Sequence, residues 1–168
     1  ARGDQATFKT SECRDVTRTQ SFEVNFKHIG IIKDCDTGLD PNSAGVFTYG
    51  IQVYLGDSLL EEFGAEDLER KNNSKIDLTN RRITIRNLFG LPEECIQVSF
   101  SLMEFDHVGS NEILAANDVV RHCAPYAYND LYTNEKSDDG DIGYRRNYTE
   151  SEGNCAAYLF YEIKPLRP

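Results

Sequence analysis

The stretch that decides the fold is Glu104-Phe105-Asp106-His107-Val108-Gly109-Ser110-Asn111-Glu112-Ile113-Leu114-Ala115. It follows residues 96–102, in which apolar and polar side chains alternate as in a half-buried β-strand. Side chains two apart on a strand share a face, so Glu104 and Asp106 are expected to project together where the chain turns. Glu112 returns six residues after Asp106. Three carboxylates around one turn repel each other unless water or a cation lies between them, and calcium prefers such oxygen ligands.

A second acidic turn lies earlier in the chain. Residues 22–26 alternate as another strand, and the sequence then runs through Asp34-Cys35-Asp36-Thr37-Gly38-Leu39-Asp40-Pro41. Five residues separate Asp34 from Asp40, as five separate Asp106 from Glu112. A helical calcium-hand loop starting at Asp34 is rejected, because its sixth position would be Leu39 instead of Gly and its twelfth Gly45 instead of Glu.

Together the two turns resemble those of the C2 domain, a calcium- and phospholipid-binding family. The family places Asp, five residues and Asp-Pro in one loop, and acid-x-acid, five residues and acid in another; both spacings occur here, with Glu at two of the Asp positions. The resemblance implies an all-β fold, an antiparallel β-sandwich of the eight-stranded type. It also implies a Ca²⁺ site and a partner that is either a phospholipid membrane surface or an extracellular protein. The implied metal ligands are Asp34, Asp40, Glu104, Asp106 and Glu112.

The chain divides into a flexible N-terminal arm at residues 1–19 and a single domain at residues 20–168. Strands are predicted near residues 20–32, 47–55, 82–88, 95–104, 113–120 and 156–164. The apolar residues within Leu59 to Arg70 predict a short helix, and residues 71–80 a polar loop on the same rim as the acidic turns. Residues 124–154, which are rich in Asp, Asn, Gly, Ser and Tyr, are expected to form a long loop insertion before the last strand.

Charge and composition restrict the class of partner and the compartment. A net charge of −10 argues against nucleic acid, because phosphate binding needs clustered Lys and Arg. The sequons at Asn72 and Asn147 and the five cysteines favour a secreted glycoprotein. The chain begins at Ala1, which we expect after removal of a signal peptide or after trimming.

The cysteines predict at least one intramolecular disulfide. Cys13, Cys95, Cys123 and Cys155 flank or begin predicted strands, and Cys35 lies inside the first acidic turn. The favoured bridge joins Cys123 to Cys155, which bracket the 31 residues of the insertion. For Cys35, pairing with another loop cysteine and a free or intermolecular thiol both remain open.

These features predict a secreted, calcium-dependent binding module and not an enzyme. The three histidines are scattered, and the sequence contains no nucleophile elbow, zinc-protease helix motif or phosphate-cradling glycine loop. The alternative is a metal-free extracellular structural or adhesion protein stabilised by disulfides. In that case Arg2-Gly3-Asp4 is a candidate integrin-binding tripeptide.

Overall fold

The computed structural model describes residues 19–35, 44–91, 93–105, 111–123, 135–136, 142–150 and 155–167. Secondary structure in this part of the chain consists of β-strands without a helix. The strands are β1 (Gln20–Lys33), β2 (Gly45–Leu55), β3 (Ser58–Arg70), β4 (Ser74–Asp77), β5 (Arg82–Leu88), β6 (Ile96–Phe105), β7 (Glu112–His122), β8 (Glu135–Lys136), β9 (Ile142–Thr149) and β10 (Ala156–Leu166).

The described strands form two antiparallel sheets. One sheet has the order β3-β2-β6-β7. The other has the order β4-β1-β10-β9-β8, and β5 also pairs with β1. β4 pairs with residues 28–31 of β1 and β5 with residues 20–25, so the two short strands continue each other along one edge.

The sheets pack face to face through the apolar side of each strand. Phe26 on β1 contacts Phe63 on β3 with ring centroids 5.2 Å apart, and Phe100 on β6 contacts Tyr148 on β9 at 5.0 Å. Each of these pairs joins one sheet to the other. The predicted all-β antiparallel sandwich is therefore confirmed, as are the six predicted strands, with bounds shifted by at most two residues.

Three predictions about local structure are wrong, and the first is the loop at residues 71–80, because Ser74–Asp77 form β4 and pair with β1. Leu59 to Arg70 form the edge strand β3 and not a helix, because the turn at Gly56, with φ at 57°, returns the chain onto β2. The resulting backbone ladder runs from Leu55 opposite Ser58 to Gly45 opposite Arg70, and it outweighs local helix preference. Within the predicted loop at 124–154, Ile142–Thr149 form β9, which pairs with β10.

The favoured disulfide is also wrong in its pairing. Cys35 is bonded to Cys155, and Cys95 to Cys123. Strand register explains both bridges: Lys33 lies opposite Ala156 where β1 pairs with β10, and Ile96 lies opposite His122 where β6 pairs with β7. Each bridge therefore joins neighbouring strands of one sheet. Cys13 and the rest of residues 1–18 of the predicted arm at 1–19 lie outside the described residues.

Candidate metal site at the acidic end of the sandwich

Three predicted ligands lie at one end of the sandwich. Asp34 directly follows β1, Glu104 is the second-last residue of β6, and Glu112 begins β7. Asp40 and Asp106 belong to the same two turns but lie outside the described residues. We call this end of the sandwich, which carries Asp34, Glu104 and Glu112, the acidic mouth.

Glu104 and Glu112 form a directly opposed pair in the ladder between β6 and β7. Glu104 also lies opposite Phe47, which is fully buried, so its side chain lies on the interior face of the sheet. Glu104 itself is only 2% exposed. Like charges directly opposite each other destabilise a sheet, and burial increases the cost of each charge. The acidic mouth therefore places carboxylates where both charge repulsion and burial lower the stability of the fold.

The Glu112 carboxylate adds to the free-energy cost of placing these two acids opposite each other. Its Oε2 atom is inaccessible to solvent and has no hydrogen-bond partner within the described part of the chain. A buried carboxylate oxygen normally has a donor or a cation beside it. The geometry is therefore that of an oxygen that is available as a ligand.

A disulfide lies beside this pair of carboxylates. One carboxylate oxygen each from Glu104 and Glu112 and the sulfur of Cys35 all lie within 4.8 Å of one another. The Cys35 sulfur is bonded to Cys155 and cannot supply a thiolate, so the oxygens are the available ligands of this group. The bridge instead holds the start of the first acidic turn against the beginning of β10.

Asp34 follows β1, which belongs to the other sheet. It is 2% exposed, and its backbone N–H donates to Oδ1 of Asn72 at 2.5 Å, which ties the first acidic turn to the β3–β4 turn. Its carboxylate is outside the group formed by Glu104 and Glu112. The described residues thus bring two predicted ligands close together and place the third at the same rim.

Two features of the mouth were not found from the sequence. Gly45, the first residue of β2, lies so close that an added Cβ would be 2.8 Å from Oε1 of Glu104. The Cys35–Cys155 bridge is the other feature. A search for acidic spacing does not detect either, because both depend on which strands become neighbours.

Two of the three histidines make structural contacts. Nε2 of His122 lies 2.7 Å from the Tyr161 hydroxyl, and Nε2 of His28 lies 3.2 Å from that of Tyr158. Burial lowers the pKa of His122 to about 4. His122 is therefore neutral in the folded protein at physiological pH. His107 lies outside the described residues.

Both acidic turns start at the same end of the sandwich. β1 and β6 end there, and β2 and β7 begin there. This is the arrangement that the resemblance implies. The fold is an antiparallel β-sandwich of two sheets, the fold class that the resemblance implies.

Two solved structures are distantly similar to this chain. No family model and no curated protein matches the chain. The solved structure of a C2 domain of plant extended synaptotagmin 1 aligns with 12% identity and a TM-score of 0.38, covering 90% of this chain and 99% of that domain. A structure entitled "CC2D1B coordinates ESRCT-III activity during the mitotic reformation of the nuclear envelope" aligns with 12% identity and a TM-score of 0.42, covering 96% of this chain and 61% of that one. At these values neither protein's activity transfers to this chain.

Two features of the chain bear on membrane spanning and on the compartment in which it matures. Within the described ranges, no helix is long and apolar enough to cross a membrane. Two disulfides are typical of proteins that mature in an oxidising compartment.

Proposed function

We propose that the protein is a secreted binding module whose acidic mouth binds Ca²⁺. The observation that carries the proposal is the pair of buried Glu104 and half-buried Glu112, opposed across β6 and β7 with carboxylate oxygens within 4.8 Å. A divalent cation between these oxygens would replace their repulsion by attraction to a shared charge. Asp34 and the turn residues Asp40 and Asp106 are the proposed additional ligands.

Calcium suits this set of residues better than other common metals. It is a hard cation that takes 6–8 oxygen ligands in flexible geometry, and carboxylates from separate loops can supply them. Zinc favours nitrogen and sulfur donors, and the sulfur at the mouth is occupied by the disulfide with Cys155. The donor chemistry of the mouth is therefore that of a calcium site.

Bound calcium would organise the two acidic turns for a partner. The chain carries a net charge of −10, so an anionic lipid surface would be repelled until calcium neutralises the mouth. A phospholipid head group and an extracellular protein remain the two proposed partners. The exposed side chains of Asn72 and Asn147 support glycosylation and thus the secretory route.

The experiment is calorimetric titration of the native protein with calcium after treatment with a chelator. Glu112→Gln should weaken calcium binding by about tenfold or more, because it removes a charged ligand. The control is Glu66→Gln on β3, which removes the same charge from an exposed position. Equal effects of the two substitutions would reject the assignment of Glu112.

A metal-free extracellular structural or adhesion protein is the second candidate. It is favoured by the Cys35–Cys155 bridge, which ties β1 to β10 at the mouth without needing a cation. Arg2-Gly3-Asp4 would serve as its integrin-binding segment, and it lies outside the described residues. The absence of calcium binding in the same titration would favour this candidate.

A further inference from the structure

A second candidate site lies on the outer face of the larger sheet, away from the sandwich interior. Strand register places Lys75, Gly30 and Tyr158 in one row across β4, β1 and β10. Tyr158 lies opposite Asn147 on β9, and Arg145 lies two residues from Asn147 on the same face. These strands enclose a cleft of about 210 Å³, whose lining includes Gly30, Asn73, Lys75, Arg145 and Tyr158.

The wall of the cleft is held by close packing around Tyr158. A Cβ on Gly30 would overlap the Tyr158 ring, so the ring occupies the space that a side chain on β1 would fill. The hydroxyl of Tyr158 is 3.2 Å from Nε2 of His28. The Arg145 guanidinium lies 3.9 Å from the ring centroid, a favourable cation–π position. Tyr158 thereby positions Arg145 beside the cleft before any ligand arrives.

The charge of the cleft is opposite to that of the whole chain. Its lining includes the cations Lys75 and Arg145, and no Asp or Glu is among the described residues that line it. The Nε of Arg145 donates to Oδ1 of Asn147 at 3.0 Å, which leaves the terminal guanidinium nitrogens for other acceptors. The nearest acid along β4 is Asp77, whose Oδ1 accepts from the backbone N–H of Thr79. A local cationic cleft on a chain of net charge −10 indicates an anionic ligand.

We propose that this cleft binds a phosphate group. The planar fork of Arg145 matches two phosphate oxygens, and Lys75 supplies a point charge to a third. The Asn73 amide adds a neutral donor at the β3–β4 turn. The phosphate belongs either to a lipid head group or to a soluble phosphate ester. The site lies on the outer face of the larger sheet, toward the end that carries Asp34; it goes beyond the calcium proposal and does not depend on it.

The test is an NMR titration in the presence of a chelator, which removes calcium and separates this site from the mouth. Inorganic phosphate and inositol trisphosphate are the soluble probes, at ionic strength held constant with chloride. Vesicles of phosphatidylcholine, with and without phosphatidylinositol bisphosphate, are the lipid probes in a parallel sedimentation assay. Saturable shifts of the Gly30 and Lys75 amides are expected.

The variants decide whether binding is local. Arg145→Gln and Lys75→Gln should each weaken binding by about tenfold, since each removes a charged hydrogen-bond donor. Lys75 is exposed, so its replacement tests the site even if Arg145→Gln disturbs the packing of Tyr158. Arg86→Gln, which removes an exposed charge on β5, is the control and should leave affinity unchanged.

The outcomes distinguish a soluble phosphate ester from a lipid head group, and they also show when the proposal fails. Saturable binding of the soluble probes alone supports a soluble phosphate ester, and added binding to the phosphoinositide vesicles supports a head group. Unsaturable shifts, or equal weakening by Arg86→Gln, would overturn the proposal whatever the calcium titration gives.

Discussion

Gly45 on β2 lies between the carboxylate of Glu104 and the ring of Phe47, and its lack of a side chain leaves room for both. An added Cβ would be 2.8 Å from Oε1 of Glu104 and 2.9 Å from Cε2 of Phe47. The carboxylate can swing away, but the ring is fully buried and has little freedom to move. At the residue scale, the acidic mouth thus depends on a glycine as well as on its acids.

Gly45→Ala should lower the free energy of unfolding by about 1–3 kcal/mol, the usual cost of overpacking. Gly50→Ala on the same strand is the matched control, because a Cβ there has nothing within 4 Å. Urea denaturation of both variants measures the difference. Similar stability of the two would show that Glu104 and Phe47 accommodate the methyl group.

A functional residue could be predicted from the sequence only where it belongs to a local pattern of spacing. Asp34, Glu104 and Glu112 could be selected from the sequence because acids at regular intervals in a turn form a local pattern. Gly45 could not be selected, since its importance arises from the pairing of β2 with β6. Lys75 and Arg145 are separated by 70 positions, and only the sheet brings them to one cleft.

At the scale of elements, the two disulfides stabilise different parts of the sandwich. Cys35–Cys155 closes 120 residues and joins β1 to β10 at the mouth. Cys95–Cys123 closes 28 residues and joins β6 to β7 at the opposite end. Chain entropy gives the longer loop about 4–5 kcal/mol and the shorter about 3–4 kcal/mol.

Removal of the longer-range bridge should therefore destabilise the protein more. We expect the double replacement of Cys35 and Cys155 by Ala to lower the melting temperature further than that of Cys95 and Cys123. Differential scanning calorimetry makes the comparison, after a non-reduced peptide map has verified both bridges in the parent protein. The reverse order of melting temperatures would contradict the loop-entropy account.

Most of the elements that sequence patterns predicted correctly are strands with extensive apolar burial. β2 buries alternate side chains, β1, β6 and β10 are buried along most of their length, and all four were found. β3 buries only Phe63 among thirteen residues, so its sequence lacks the alternation of a strand. β9 was hidden in a polar, tyrosine-rich segment, and its pairing partner β10 lies on the far side of a connecting turn.

At the scale of the whole molecule, polar contacts join the two sheets along one edge. His122 on β7 reaches the Tyr161 hydroxyl on β10 at 2.7 Å. Nearby, Asp118 on β7 accepts hydrogen bonds from Arg146 and Tyr148 on β9 through Oδ2. The His122 contact requires a buried, neutral imidazole, because burial disfavours the charged form.

The low pKa of His122 makes stability depend on pH. In the unfolded chain the pKa is 6.5 and in the folded protein about 4, so the unfolded state binds more protons between these values. The His122 contribution is fully present above pH 6.5 and is lost as pH falls to about 4. The full contribution is up to about 3 kcal/mol, from 1.36 kcal/mol per pKa unit.

His122→Gln should remove this part of the pH dependence. Urea unfolding at several pH values between about 4 and 7 would measure the slope in the parent and the variant. Carboxylates titrate in both proteins, so the difference between the slopes isolates His122. Parallel slopes would show that His122 is protonated equally in the folded and unfolded states.

The central claim is that the acidic mouth holds calcium, and the most direct measurement is the melting temperature of the native protein in chelator and in millimolar calcium. A ligand that binds only the folded state adds about 2.7 kcal/mol at one hundred times its dissociation constant. We predict a higher melting temperature in calcium than in chelator, with the increase reduced by about half or more in Glu112→Gln and retained in Glu66→Gln. An unchanged melting temperature in the native protein would contradict the claim, and the two disulfides would then be sufficient to hold the mouth together.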